Sequence, residues 1–459
     1  MIDATTLKTL SGIVGTRYLI SRQEDLTEFG SDATKLTAMP EAVAFPSNGE
    51  DISRILQLAN RAHFPVIPRG AGSGKSGGAV PVEGGLVLAL DRLNRIIRID
   101  EDNLIAKVEP GVITAHFQKA VEEVDLFYPP DPASIDISTI GGNVAECAGG
   151  LRAVKYGVTR DYVLGLMVVL PTGEIIKTGV ETAKGVVGYD LTRLIVGSEG
   201  TLAVITEITL RLIPKPLTTK TMIAFFQDAA ASVRTVSNII KHKIVPTAME
   251  FMDRHCIDCV KEEIDVPIPA DAGALLIIEV DGDEVVTNQA SRAIQGVCGQ
   301  SGAIRFQMGK GHAEAERLWE IRRYVSESIM KLAPHKVSED IVVPRNLMAD
   351  LVSFLGRLGA EYRLPIPAFG HAGDGNIHVN ILFDREAPGA VEKVDRVVEA
   401  LFKKVLELGG TISGEHGVGV TKAPYLGMEV SKPAVELMRR LKRAFDPRNI
   451  LNPGKIFPV

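Results

Sequence analysis

The first clear periodicity in the chain is helical. Ile52, Ile55, Leu56 and Ala59 recur at the spacing of one helix face, and Ser47 with Glu50 reads as an S-x-x-E capping box at its start. Pro65 closes that element, and Val66-Ile67 is a short strand. The apolar run Leu86–Leu90 is a second strand, and Ala106–Val108 marks a third. A helix is expected over Thr114–Glu123. Residues 136–175 are glycine-rich with short apolar runs, of which 165–170 is a strand closed by the turn Pro171-Thr172-Gly173. Leu202–Leu212 alternates as a strand does.

The pattern changes beyond Pro214 and Pro216, which bracket a linker. Strand and helix then alternate: Met222–Phe226, Ala229–Lys241, Leu275–Val280 and Glu284–Gly296. Longer helices are expected over 313–332 and 390–408, and Met249–Glu263 reads as a helix carrying Cys256 and Cys259. The tail is a helix ending at Asp446-Pro447, followed by an irregular segment. There is no internal repeat. A length of 459 residues exceeds one hydrophobic core, so two or three domains are expected. The fold class is α+β, the later domain having antiparallel strands.

Composition narrows the class. The chain is 45% hydrophobic and 24% charged, with net charge −6 and no basic run, which argues against nucleic acid as a partner. No apolar stretch approaches the ~20 residues that span a bilayer. The opening MIDATTLKTL lacks the basic flank and apolar stretch of a signal peptide, so a cytoplasmic location is expected. The four cysteines do not form a disulfide framework, and only Cys256 and Cys259 are closely spaced. They read as core residues. An iron–sulfur cluster usually requires four clustered thiolates, so a redox enzyme of this sequence would pass electrons to another protein or a diffusible acceptor.

The loop PRGAGSGKSGG, Pro68–Gly78, resembles two motifs that it is not. A Walker A loop ending in Gly74-Lys75-Ser76 needs glycine at position 69, where Arg69 stands, and needs a helix afterwards. Gly72-x-Gly74-x-x-Gly77 fits the dinucleotide fingerprint, but Pro81, Gly84 and Gly85 follow where that fold opens a helix. What remains is a run of N–H groups without side chains, able to cup a pyrophosphate as a nest or to serve only as a flexible turn.

Chemistry concentrates in two later stretches. In GHAGDGNIHVN, His371 and His378 flank a turn; paired strands would bring both imidazoles to one pocket, with Asn380 on the same face as His378. GTISGEHGVG places Glu415 and His416 between glycines. Two histidines and a glutamate can hold a divalent metal with open positions; they serve equally as hydrogen-bonded polar residues. On the helix WEIRRYVSESIMK, Arg322 and Ser326 share a face, while Arg323 reads as solvated and Trp319 as packing beneath Arg322. His63, His116, His242 and His312 are isolated and read as structural or surface residues.

The glycine loop, PPDPAS (Pro129–Ser134), STIGGNVAECAGG (Ser138–Gly150), KYGVTRDYVLGLMVVLPTGE (Lys155–Glu174) and GSEGTLAVITE (Gly197–Glu207) occur in the order found in the FAD-binding type 4 family of vanillyl-alcohol oxidase and p-cresol methylhydroxylase (PCMH) type. The resemblance covers almost the whole chain and reaches the branch that oxidises D-lactate, glycolate and D-2-hydroxyglutarate. It implies a PCMH-type FAD-binding domain over 1–214, a substrate or cap domain over 215–424 facing the isoalloxazine, and a segment 425–459 returning to the FAD domain. Flavin contacts are implied in the loop at Pro68, Arg69, Gly70, Ala71, Gly72, Ser73, Gly74, Lys75, Gly77 and Gly78. Others are implied at Pro132 and Ser134, at Thr139, Gly142, Asn143, Gly149 and Gly150, and at Tyr156, Gly157, Gly200, Ile205 and Asn452. The loop holds no histidine, so the FAD is expected to be noncovalent.

In the resembled branch His371, His378 and Glu415 would be the ligands of zinc, manganese or iron. His416 would be the general base, and Asn380 would touch substrate or metal. Arg322 and Ser326 would bind the substrate carboxylate, with Lys336 adding a charge. The implied reaction is oxidation of a D-2-hydroxy acid, D-lactate first, with hydride passing to flavin N5. Electrons would leave to an electron-transferring flavoprotein or an iron–sulfur subunit, through which the chain could sit at a membrane surface. The rival expectations are a glycolate or D-2-hydroxyglutarate dehydrogenase subunit, an alkyl-transfer enzyme of the same fold, and a flavin subunit that only relays electrons.

Overall fold

The computed structural model describes residues 2–458. The chain forms two compact units. The first comprises the residues up to Gly149, Val158–Lys215 and the residues from Glu415 on; the second comprises Gly150–Gly157 and Pro216–Gly414.

The first unit opens with a four-stranded sheet. Its strands β1 (Leu19–Ile20), β2 (Ala42–Ala44), β3 (Val66–Arg69) and β4 (Leu86–Ala89) lie in the order β1-β2-β4-β3. β4 pairs in parallel with both β2 and β3. A parallel strand is covered on both faces, which explains why β4 reads as an unbroken apolar run. Leu86 and Leu88 pack with Ile52, Ile55, Leu56, Leu10 and Leu451, while Val87 and Ala89 pack with Leu26, Val43 and Ile67. The helix Gly49–Ala62 connects β2 to β3.

Its cap lies one residue later than the sequence suggests. Asn48 is the N-cap and accepts from Asp51 N–H at 2.8 Å. Ser47 instead donates to Asp51 through N–H at 3.0 Å and Oγ at 2.7 Å, so the reciprocal pattern runs through Asp51, not Glu50.

A second sheet of the same unit is antiparallel. It contains β5 (Ile96–Asp100), β6 (Ile105–Val108), β8 (Val163–Val169), β9 (Ile175–Gly179) and β10 (Val204–Arg211), ordered β5-β6-β10-β8-β9. The short β7 (Leu126–Phe127) and β11 (Ile213–Pro214) pair with each other. The last residues close the unit. Lys442, at the end of the helix Lys432–Phe445, donates to Thr201 O at 2.9 Å and Leu451 O at 2.8 Å. Leu451 bridges Val66 in parallel.

The second unit is built on one seven-stranded sheet in which every pair is antiparallel. Its strands are β12 (Thr218–Phe226), β13 (Ala248–Asp253), β14 (Ala274–Gly282), β15 (Ala303–Met308), β16 (His335–Val342), β17 (Ala368–His371) and β18 (Asn376–Phe383). Their order is β15-β12-β14-β13-β17-β18-β16. Met249–Glu263 is not one helix: Ala248–Asp253 is strand β13, and Asp253 caps the short helix Arg254–Val260 through Cys256 N–H at 2.9 Å. Cys256 and Cys259 are buried in the core, and burial pushes both thiols up.

One sheet face presents Ile223, Phe225, Leu275, Ile277, Met252, Phe369 and Leu382 to the helices Arg254–Val260 and Gly311–Ser328. Each such side chain contributes about 1.5–3 kcal/mol on burial. The same face carries a polar stripe across its centre, the subject of the next section.

Candidate active site

In the second unit, β17 and β18 form the hairpin expected around the histidines. Phe369 stands opposite His378, so Phe369, His371 and His378 share a face. The imidazoles meet edge to face, with centroids 5.1 Å apart. The turn between them needs glycine at Gly375, where φ is +90° and an added Cβ would lie 2.1 Å from Val343 O.

The stripe continues into β13, where Glu250 stands opposite His371. Glu250 is fully buried. Its Oε1 meets His371 Nδ1 at 2.7 Å and its Oε2 accepts from Arg322 Nε at 2.6 Å. An isolated buried carboxylate costs several kcal/mol, and these two contacts offset that cost. Burial pushes the Glu250 carboxyl up, but His371 and Arg322 together hold it below its usual range. Arg322 also lies over the Phe369 ring, 4.8 Å from its centroid.

One helical turn on, Ser326 accepts from Lys336 Nζ, at 3.3 Å through its carbonyl and 3.4 Å through Oγ. Arg322 and Ser326 thus meet the same sheet one helical turn apart, Arg322 through Glu250 of β13 and Ser326 through Lys336 of β16. Arg323 is exposed and pairs with Glu316 at 3.1 Å. Trp319 donates from Nε1 to Glu279 Oε2 at 2.8 Å.

On the other side of β18, Asp340 is fully buried. It accepts from Asn376 Nδ2 at 2.5 Å and from Gly414 N–H at 2.8 Å. That second bond fixes the chain immediately before Glu415. Within the second unit the two candidate ligand histidines, His371 and His378, are both buried and stand side by side, and Glu415 follows Gly414 directly in the chain. With Nδ1 of His371 held by a carboxylate, its Nε2 is oriented as a ligand atom, the arrangement that metal-binding histidines commonly adopt. Asn380, 1% exposed, donates Nδ2 to Pro367 O and His378 O, while its buried Oδ1 has no partner among the described residues. The paired imidazoles and the orphaned oxygen are groups that fit a divalent cation.

In the first unit, Pro68 and Arg69 end β3, and Gly70–Gly78 follow from the carboxyl end of the parallel strands, where ligands of such sheets bind. A Cβ on Gly70 would lie 2.5 Å from Thr139 Oγ1, so only glycine allows this approach to the helix Ile140–Glu146. Gly72 and Gly77 have φ of +67° and +83°. Ala71, Ser73, Gly74 and Lys75 complete the loop.

Several residues implied in flavin contact have side-chain or backbone groups committed to the protein. Arg69 donates to Ser31 O at 2.8 Å, and Asn143 donates to Thr114 Oγ1 at 2.8 Å. Thr139 accepts from Gly142 N–H at 3.2 Å, and the carbonyls of Pro132 and Ser134 accept from Ile135 and Ser138 at 2.9 and 2.7 Å. Ile205 is buried in β10 beside a bulge. Gly150, Tyr156 and Gly157 cluster with the second unit, where Tyr156 donates to Asp281 at 2.9 Å.

Asn452 donates Nδ2 to Gly78 O at 3.0 Å and Glu199 O at 2.7 Å, leaving Oδ1 buried and without a partner among the described residues. Asp32 Oδ2 and Glu146 Oε2 are also buried without partners near this loop. Unshielded loop N–H groups and orphaned acceptors fit FAD, whose pyrophosphate takes the donors and whose hydroxyls and ring N–H seek the acceptors.

Two buried acids beside the loop went unnoticed in the sequence. Glu199 accepts from Val418 N–H at 2.8 Å and Gly419 N–H at 2.6 Å, and Val420 N–H donates to Ser76 O at 2.7 Å. These bonds anchor the residues just after His416 to the glycine loop. A Cβ on Gly417 would lie 2.6 Å from Glu146 Oε2 and 3.0 Å from Glu199 Oε1. Burial, then the neighbouring Glu199, pushes Glu146 well above its usual range. Burial raises Glu199 to about 6 against the pull of its two N–H donors. A Cβ on Gly149 would lie 2.8 Å from Glu415 Oε2. Glu250 and Glu199 share one sequence signal, an acid set between apolar or small neighbours, whereas Asp340 follows Glu339 directly.

Comparison with known proteins gives the following. Residues 40–179 match a FAD binding domain family, and residues 215–456 match the C-terminal domain of FAD linked oxidases. The glycolate oxidase subunit GlcD of Bacillus subtilis strain 168 is 47% identical over 430 residues, covering 94% of this chain and 92% of that protein. The D-lactate dehydrogenase of Anaerostipes hadrus is 36% identical, covering 91% of this chain and 90% of that protein. A solved structure of p-cresol methylhydroxylase with substrate bound superposes with a TM-score of 0.81 at 18% identity, covering 98% of this chain and 96% of that one. The last likeness shows a shared PCMH-type α+β fold. Among the described residues no helix is long and apolar enough to cross a membrane.

Proposed function

The chain belongs to the FAD-linked oxidases, and from that premise we propose that this oxidoreductase converts a D-2-hydroxy acid, D-lactate first, to its 2-oxo acid. The observation that carries this reading is the polar stripe of the second unit. It brings together Arg322, Ser326 and Lys336, the paired imidazoles of His371 and His378, and the orphaned Asn380 Oδ1.

Arg322 and Ser326 hold the substrate carboxylate, the guanidinium through paired N–H donors, and Lys336 adds charge. Asn380 holds the substrate oxygen or the metal. His416, as a neutral imidazole, takes the proton of the 2-hydroxyl. His371, His378 and Glu415 would hold zinc, manganese or iron, which supplies Lewis acidity toward that hydroxyl. Noncovalent FAD, held by the glycine loop and Asn452, supplies the two-electron acceptor at N5. Electrons then pass to a protein partner, an electron-transferring flavoprotein or an iron–sulfur subunit. The domain roles follow: flavin in the first unit, completed by the segment that returns to it, and substrate binding by Arg322, Ser326 and Lys336 in the second.

Glycolate is the second reading, because the 47% identical relative is a glycolate oxidase subunit. The two substrates differ by one methyl group, worth only about 1–3 kcal/mol in a pocket. The purified, metal-replete protein titrated anaerobically with D-lactate, L-lactate, glycolate and D-2-hydroxyglutarate tests both. Bleaching of the flavin band by D-lactate and not L-lactate is expected. Bleaching by glycolate alone selects the second reading, and a flavin that no acid bleaches overturns both.

A further inference from the structure

We propose that Glu250 is a positioning residue that couples substrate binding to metal binding, because one carboxylate holds both Arg322 and His371. The inference rests on the functional reading above and names a residue to which that reading gives no role.

Three observations support it. The two oxygens are divided between the partners, Oε2 to Arg322 Nε at 2.6 Å and Oε1 to His371 Nδ1 at 2.7 Å. The register of β13 against β17 sets Glu250 directly opposite His371, so the second contact is imposed by the sheet. Glu250 is fully buried in a strand otherwise apolar from Ala248 to Met252, where packing alone would favour a hydrophobic side chain.

The consequence is an exchange of charge across the carboxylate. In the empty site Arg322 draws on Glu250 and weakens its hold on the imidazole N–H. When Arg322 turns its charge toward a bound carboxylate, Glu250 bears more fully on His371, which becomes the stronger donor. Substrate and metal thereby strengthen each other's binding, as linkage requires.

The test measures Zn(II) and Mn(II) affinity of the flavin-loaded full chain by chelator competition, alongside KM and kcat for D-lactate. Glu250→Gln is expected to raise the metal Kd about 10–100-fold and, at saturating metal, to raise KM, with flavin content unchanged. Arg322→Met keeps Glu250 in place should Glu250→Gln fail to fold. It is expected to raise KM and to lower the metal Kd several-fold, although Arg322 is not a ligand. A purely carboxylate-binding Arg322 would raise KM and leave the metal Kd alone. An unchanged metal Kd in Arg322→Met, or in a folded Glu250→Gln, overturns the coupling. If the unaltered protein binds neither metal, or no acid bleaches its flavin, the functional reading itself has failed.

Discussion

Glu199 gives a residue-scale prediction because it lies in the interior with two backbone donors and a second acid nearby. Its carboxyl titrates at about 6 in the folded protein, above the ordinary value of 4.5, so the folded state holds this proton more tightly than the unfolded state does. The contribution to stability is complete below about 4.5 and is lost as pH rises through about 6. Thermal melts at pH 4.5 and 6.5 should therefore show a larger fall in Tm for the native chain than for Glu199→Gln; equal falls would contradict this origin. The neighbouring Glu146 is likewise pushed well above its usual range, by burial first and then by Glu199. Residues of this kind were not legible in the sequence. His371, His378 and Glu415 stand in compact local motifs, whereas Glu250 acquires its meaning from partners 72 and 121 positions away. Nothing in the neighbourhood of Glu250 announces them.

At the scale of elements, periodicity identified most helices and strands, because a period of 3.6 or 2 is written into the side chains themselves. The helix Ala229–Lys241 lies where its spacing predicts. Met249–Glu263 was misread because a six-residue buried strand and a short helix adjoin without a turn residue, and their apolar positions merge into one apparent stripe. Strand order is set by contacts far apart in the chain and left no local trace. Glycine yields a paired prediction here. Gly375→Ala sets a Cβ 2.1 Å from Val343 O at a φ of +90°, and should destabilise the histidine hairpin by at least about 1–3 kcal/mol. Gly356 lies on the exposed side of the helix Met348–Tyr362 with nothing within 4 Å of its added Cβ, so Gly356→Ala should stabilise by about 0.5–1 kcal/mol. Chemical denaturation of both variants checks the two signs together.

On the scale of the whole molecule, the proposed division of roles between the units predicts separable losses. His371→Ala should lower turnover on the order of 10³-fold while the yellow colour persists. Gly70→Ala, which drives a Cβ to 2.5 Å from Thr139 Oγ1, should lose flavin and retain the metal. Absorbance and metal analysis on each variant decide the matter; loss of both groups in either one would refute the division. The family was legible from ordered motifs. The units' boundaries were less so, because the chain passes from one unit to the other at 149–150, 157–158, 215–216 and 414–415. One contact of the first unit has a bearing on biosynthesis. Asn452 ties itself to Gly78, 374 residues earlier, and Leu451 bridges Val66. At about 5–20 residues per second, a ribosome takes roughly 20–75 s to make the intervening chain. The glycine loop therefore waits that long in the nascent polypeptide for its closing partner, and flavin can be locked in place only once Asn452 has been made.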